Sequence, residues 1–97
     1  MKRKEYLISI RDGEETGKFS FDVSFPNRYT TGYLGSNMRE IKQNILDEIS
    51  SYKEDFPETI MGLIKINSRS SSFDNKNLKD LISLLKKSRK DIEFHLL

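Results

Sequence analysis

Between Phe19 and Phe25 the chain alternates without a break: Phe19, Phe21, Val23 and Phe25 take every second position, with Ser20, Asp22 and Ser24 between them. A period of two sends successive side chains to opposite faces of a strand, so the segment reads as half-buried β structure. It ends at Pro26, which has no N–H to give a ladder. Tyr6 to Arg11 repeats the pattern, with Tyr6, Ile8 and Ile10 on one face. Asp12-Gly13 and Gly17 lie between the two runs and supply the backbone freedom that a hairpin loop needs. Tyr29 to Leu34 reads either as a short third strand at a sheet edge or as a loop.

After Gly35 the period changes. Ser36 or Asn37 caps a helix, and Asn37 with Glu40 three residues on is a capping-box variant. Met38, Ile41, Ile45, Ile49 and Tyr52 follow at helical spacing and form one apolar stripe, closed by Phe56-Pro57. Thr59 to Ile66 returns to a strand pattern, with Ile60, Gly62, Ile64 and Ile66 on one side. Asn67 to Asn77 is a polar loop. A second helix starting near Asp74 carries Leu78, Leu81, Ile82 and Leu85, and Asp91 to Leu97 closes the chain as a strand through Ile92, Phe94 and Leu96. The order ββ(β)αβαβ predicts an α+β two-layer sandwich over residues 1–97: one domain, a mixed or antiparallel sheet of four or five strands, and both helices on one face.

Composition narrows the setting. The chain of 97 residues has no Cys, which removes disulfides and thiolate metal sites and points to a cytoplasmic protein. Met1-Lys-Arg-Lys4 has the charge of a signal-peptide opening, but Glu5 and a short apolar run broken by Ser9 follow it, so it does not read as one. No apolar run approaches the length needed to cross a bilayer. The net charge of +2 is spread unevenly: residues 1–57 hold nine Lys/Arg against ten Asp/Glu, and residues 58–97 hold eight against five. A duplex-binding domain is usually more basic. The absence of Ala and Trp, with many Ile, Lys, Asn, Ser and Phe, fits AT-rich coding, as in a low-GC genome or one of its mobile elements.

No residue set assembles a catalytic or cofactor motif. His95, the one histidine, falls out of phase with Ile92, Phe94 and Leu96 and has no nucleophile or ligand partners in the pattern. Asp12, Glu14 and Glu15 gather at a turn without EF-hand spacing and read as a solvated hairpin tip. The expectation is therefore a protein without enzyme activity and without a cofactor. Lys86-Lys87-Ser88-Arg89-Lys90 is the densest basic run; it offsets the dipole at a helix C-terminus, or it contacts phosphates with help from Arg69 or Lys2, Arg3 and Lys4. Phe73 either presents itself to a partner from the polar loop or staples the helix start ahead of the Asp74 cap. Leu7, Met61, Leu63 and Leu97 place apolar side chains on the open side of the sheet among Ser9, Lys65 and His95. A patch of that kind marks a protein interface, so the expected surface is Leu7, Met61, Leu63, Phe73 and Leu97. A protein partner is the leading expectation and nucleic acid the alternative. No membrane is involved, and pairing of two copies through residues 29–34 is left open.

From Phe21 to Ile49 the chain resembles the N-terminal part of the HicB antitoxin family. Val23-Ser24-Phe25-Pro26 matches that family's strand run, Gly35-Ser36 its turn and cap, and Met38 with Glu40 its helix opening, with no gap in spacing. Tyr29-Thr30 stands where the family has Pro-Gly, and nothing after Thr59 matches. The resemblance implies a domain that binds and masks another protein, acting as an inhibitor, antitoxin or immunity-type factor. Without a recognisable C-terminal DNA-binding segment, it does not imply autorepression on DNA.

Overall fold

The computed structural model describes residues 5–97. Five strands form a single sheet: β1 (Leu7–Asp12), β2 (Phe19–Phe25), β3 (Arg28–Gly35), β4 (Leu63–Ser68) and β5 (Glu93–Leu96), in the order β3-β2-β1-β4-β5. Helix α1 (Met38–Asp55) joins β3 to β4, and α2 (Asn75–Ser88) joins β4 to β5. The β1–β2 and β2–β3 pairs are antiparallel, while β1–β4 and β4–β5 are parallel. This is the mixed α+β sheet with two helices that the order of periodicities predicts, and residues 28–35 are a full strand.

The core lies between the helices and one face of the sheet. Ile8, Ile10, Phe21, Val23, Phe25, Leu34, Ile64, Ile66 and Phe94 come from the strands. Ile41, Ile45, Ile49 and Tyr52 come from α1, and Leu78, Leu81, Ile82 and Leu85 from α2. Each helix starts on a side-chain cap: Asn37 accepts from the Glu40 N–H at 3.0 Å and Asp74 from the Asn77 N–H at 3.0 Å. Glu40 closes the first cap in return, its Oε1 accepting from the Ser36 N–H at 3.2 Å and the Ser36 hydroxyl at 2.8 Å. These bonds hold its carboxyl below the ordinary value. Pro26-Asn27 makes the tight turn between β2 and β3, with Asn27 at φ 64.

Three expectations need correction. The strand placed over 59–66 begins only at Leu63. After Phe56-Pro57 the chain bends, the Thr59 N–H bonding back to the Phe56 carbonyl at 3.0 Å, and Lys53 holding the Thr59 carbonyl. Residues 59–61 are therefore off the ladder, where alternation carries no face information; the first ladder contact is the Gly62 carbonyl, which accepts from the Glu93 N–H at 3.0 Å. Ile60 projects into solvent at 88% exposure and Met61 turns into the core at 3%. The polar loop is also shorter than its composition suggests. Strand β4 runs on to Ser68, and Ser70 is buried, donating to Asp12 and accepting from the Ser72 N–H. Leu96, expected on the core face with Phe94, is 40% exposed at the end of the edge strand.

A candidate protein-binding surface

The helices cover one face of the sheet, and the strand register lays out the other in rows. One row runs Tyr29, Ser24, Leu7, Lys65, His95; the next runs Thr31, Asp22, Ser9, Asn67; a third runs Tyr33, Ser20, Arg11. Tyr29 and Tyr33 stand well out of the surface at 67% and 51% exposure, while Leu7 and Leu63 are half-buried. The Arg11 Nε donates to both Asp22 oxygens at 3.1 and 3.2 Å across the face. Ser9 at the centre is buried, and beside it the Asn67 Oδ1 is shielded from solvent without a hydrogen-bond partner. At the foot of this face lies a cleft of about 730 Å³ lined by Glu5, Ile60, Leu63, Lys65, Glu93 and His95. The His95 Nε2 stands 3.4 Å from the Glu93 carboxylate.

The outer edge is as distinctive as the face. Phe25 and Arg28 flank a two-residue turn, so they form a pair that exchanges both backbone hydrogen bonds. Alternation from that pair makes Val23–Thr30 and Phe21–Gly32 the next bonded pairs. The N–H and C=O groups of Tyr29, Thr31 and Tyr33 therefore point away from β2, at the border of the sheet.

Of the five residues expected to form an interface, the structure brings Leu7 and Leu63 onto the open face, while Leu97 is 60% exposed just past β5. Met61 and Phe73 are elsewhere: both belong to the core, at 3% and 2% exposure. Phe73 precedes the Asp74 cap, shares the core with Leu78, and meets Phe19 edge-to-face with ring centroids 5.3 Å apart. Its place is that of a staple. Tyr29 and Tyr33 belong to this surface as well, and their phase opposite to Leu34 is the sequence signal for it.

The basic run sits at one end of α2, apart from Arg69. Lys86, Lys87 and Lys90 are exposed at the C-terminal end of α2, but Arg89 grips Asp91 through two bonds of 2.9 and 3.0 Å. That grip holds the Asp91 carboxyl down to about 2. Arg69 lies before the N-terminal end of α2, and a helix of 14 residues separates it from the run by roughly 20 Å. Lys2, Arg3 and Lys4 lie outside the described residues. At the hairpin tip Glu15 pairs with Lys18 at 2.6 Å and Asp12 is engaged by Ser70. Among the described residues no group of three or more His, Cys, Asp or Glu is placed to hold a metal ion, and no helix is long and apolar enough to cross a membrane. Comparison with protein-family models, with curated proteins and with solved structures gives no significant match.

Proposed function

We propose that this chain is a non-enzymatic, intracellular binding domain that covers a partner protein, in the manner of an inhibitor, antitoxin or immunity factor. The observation that carries this reading is the uncovered sheet face, where Leu7, Leu63, Tyr29 and Tyr33 lie on one surface continuous with an unpaired edge. Aromatic and aliphatic side chains among polar ones, on a rigid sheet, suit an interface of modest size. The resemblance of residues 21–49 to the HicB antitoxin family supports the same reading.

The test is affinity capture from host lysate, with and without nuclease, comparing the wild type with Leu63→Glu. One dominant protein retained by the wild type after nuclease treatment, and lost by Leu63→Glu, is the expected result. Recovery that vanishes with nuclease would move the function to nucleic acid and to Lys86, Lys87 and Lys90. Leu63→Glu should stay folded, at a cost within about 1 kcal/mol, which lowers its melting temperature by no more than about 8 °C. Met61→Glu buries an unpaired charge in the core and should cost on the order of 4 kcal/mol, so its loss of binding would reflect unfolding.

A further inference from the structure

Two contacts fix which side of α1 overlooks the β3 edge. The Asn44 Nδ2 donates to the Leu34 carbonyl at 2.6 Å, and Asp55 pairs with Arg28 at the start of β3. At 3.6 residues per turn, Glu40, Asp47, Glu48 and Ser51 fall within about 60° of the line from Asn44 to Asp55. This side therefore carries the carboxylates Glu40, Asp47, Glu48 and Asp55 and no Lys or Arg; Lys42 and Lys53 lie on the opposite flank. Glu40 is occupied by the cap and Asp55 by Arg28; Asp47 and Glu48 enter no ion pair among the described residues, although the Asp47 Oδ1 accepts from the Gln43 Nε2 at 2.9 Å.

The free backbone groups of Tyr29, Thr31 and Tyr33 lie directly beneath this acidic flank. A strand added at the edge would lie about 4.8 Å beyond β3 and send alternate side chains to each face. Those beside Tyr29, Thr31 and Tyr33 would meet aromatic rings and a hydroxyl. Those beside Thr30 and Gly32 would rise toward Glu48, with Asp47 higher on the same flank of α1, across a layer spacing of about 10 Å that a Lys or Arg side chain spans.

We propose that β3 receives an extended segment of the partner protein as an additional edge strand, and that this segment alternates hydroxyl or apolar residues on the open face with Lys or Arg on the helix side. The inference rests on the protein-binding reading above and names the partner's chemistry. A second copy of this chain is the poorer occupant. Antiparallel pairing about Thr31 would stack Tyr29 on Tyr33 of the other copy acceptably, but it would bring the two Asp47–Glu48 flanks together, like charge against like.

The register supplies a clean probe. The Thr31 N–H points outward, so Thr31→Pro removes a donor only from the edge, where proline is tolerated. Isotope-labelled full chain is titrated with a short capped peptide alternating threonine and lysine, and separately with its threonine–glutamate counterpart, following backbone amide resonances. The expected result is saturable movement at Tyr29, Thr31 and Tyr33 with the lysine peptide, and binding about ten-fold weaker with the glutamate peptide. Thr31→Pro should abolish the response, and Asp47→Lys with Glu48→Lys should reverse the preference. Equal response to both peptides, or a response indifferent to Thr31→Pro, would overturn the inference. So would a dimer of the free chain that Thr31→Pro dissolves. Capture of a partner that depends on Leu63 but not on Thr31 would overturn it too, while leaving the protein-binding function standing.

Discussion

Replacing Tyr52 by alanine is expected to lower the unfolding free energy by about 4 kcal/mol, read as the shift of a urea unfolding curve at unchanged slope. Tyr52 sits at the last turn of α1, and its ring is the hub of an aromatic cluster. The centroids of Phe56, Phe25 and Tyr6 lie 4.7, 5.1 and 5.9 Å away. The Arg28 guanidinium stands over the same ring at 5.6 Å, and burial pushes the neighbouring Tyr6 phenol above its ordinary value. Truncation leaves a cavity bounded by strands and helix that cannot collapse without moving both. Domains of this size carry about 5–15 kcal/mol in total, so the variant should lose between about a quarter and four fifths of its stability. Tyr52→Phe separates packing from polarity. It keeps the ring and removes the hydroxyl that donates to the Pro26 carbonyl at 2.7 Å, and it should cost about 1 kcal/mol.

Gly35→Ala is expected to cost about 3 kcal/mol, an unusual penalty for adding one methyl group. Gly35 links β3 to the cap of α1 at φ +146, where L-residues are rarely found. A Cβ there would stand 2.8 Å from the Glu40 Cβ and 3.1 Å from the Ile41 nitrogen, so the first turn of the helix itself would have to shift. Gly62→Ala is the control: nothing lies within 4 Å of the Cβ position, and the variant should melt within about 0.5 kcal/mol of the wild type. Differential scanning calorimetry on both variants decides whether the tight strand-to-helix corner is the constraint.

The elements whose period is enforced by packing are those that can be read from the residues. Phe19 to Phe25 alternates because its apolar side chains lie in the core or pack against it, and Ile41, Ile45, Ile49 and Tyr52 keep helical spacing for the same reason. The pattern misleads where the chain leaves the ladder. Ile60 and Met61 continue the alternation of β4 on paper, but the bend after Pro57 rotates that phase away and exchanges their environments. β3 is faint because an edge strand with one polar face has few positions that must be apolar. The candidate surface is half legible in the residues. Leu7 and Leu63 follow from phase alone, whereas Tyr29 and Tyr33 acquire meaning only once β3 is known to be outermost. Strand order rests on pairings between distant segments, which no local period encodes.

Strand β1 is bonded antiparallel on one side and parallel on the other, and its two partners come from very different distances along the chain. β1, β2 and β3 are consecutive and joined by short turns, and α1 follows at once, so the loop-closure entropy of this half is small. β4 arrives from far along the chain and finds a template only in the remaining border of β1; β5 in turn finds one only in β4. During synthesis the first half can therefore dock and shield its apolar stripe before the second is complete. The second half has only the two-stranded β4–β5 pair to form on its own, too small a sheet to be stable alone. The expectation is that β4 and β5 dock last, with Ile64, Ile66 and Phe94 exposed until the N-terminal meander offers them its border.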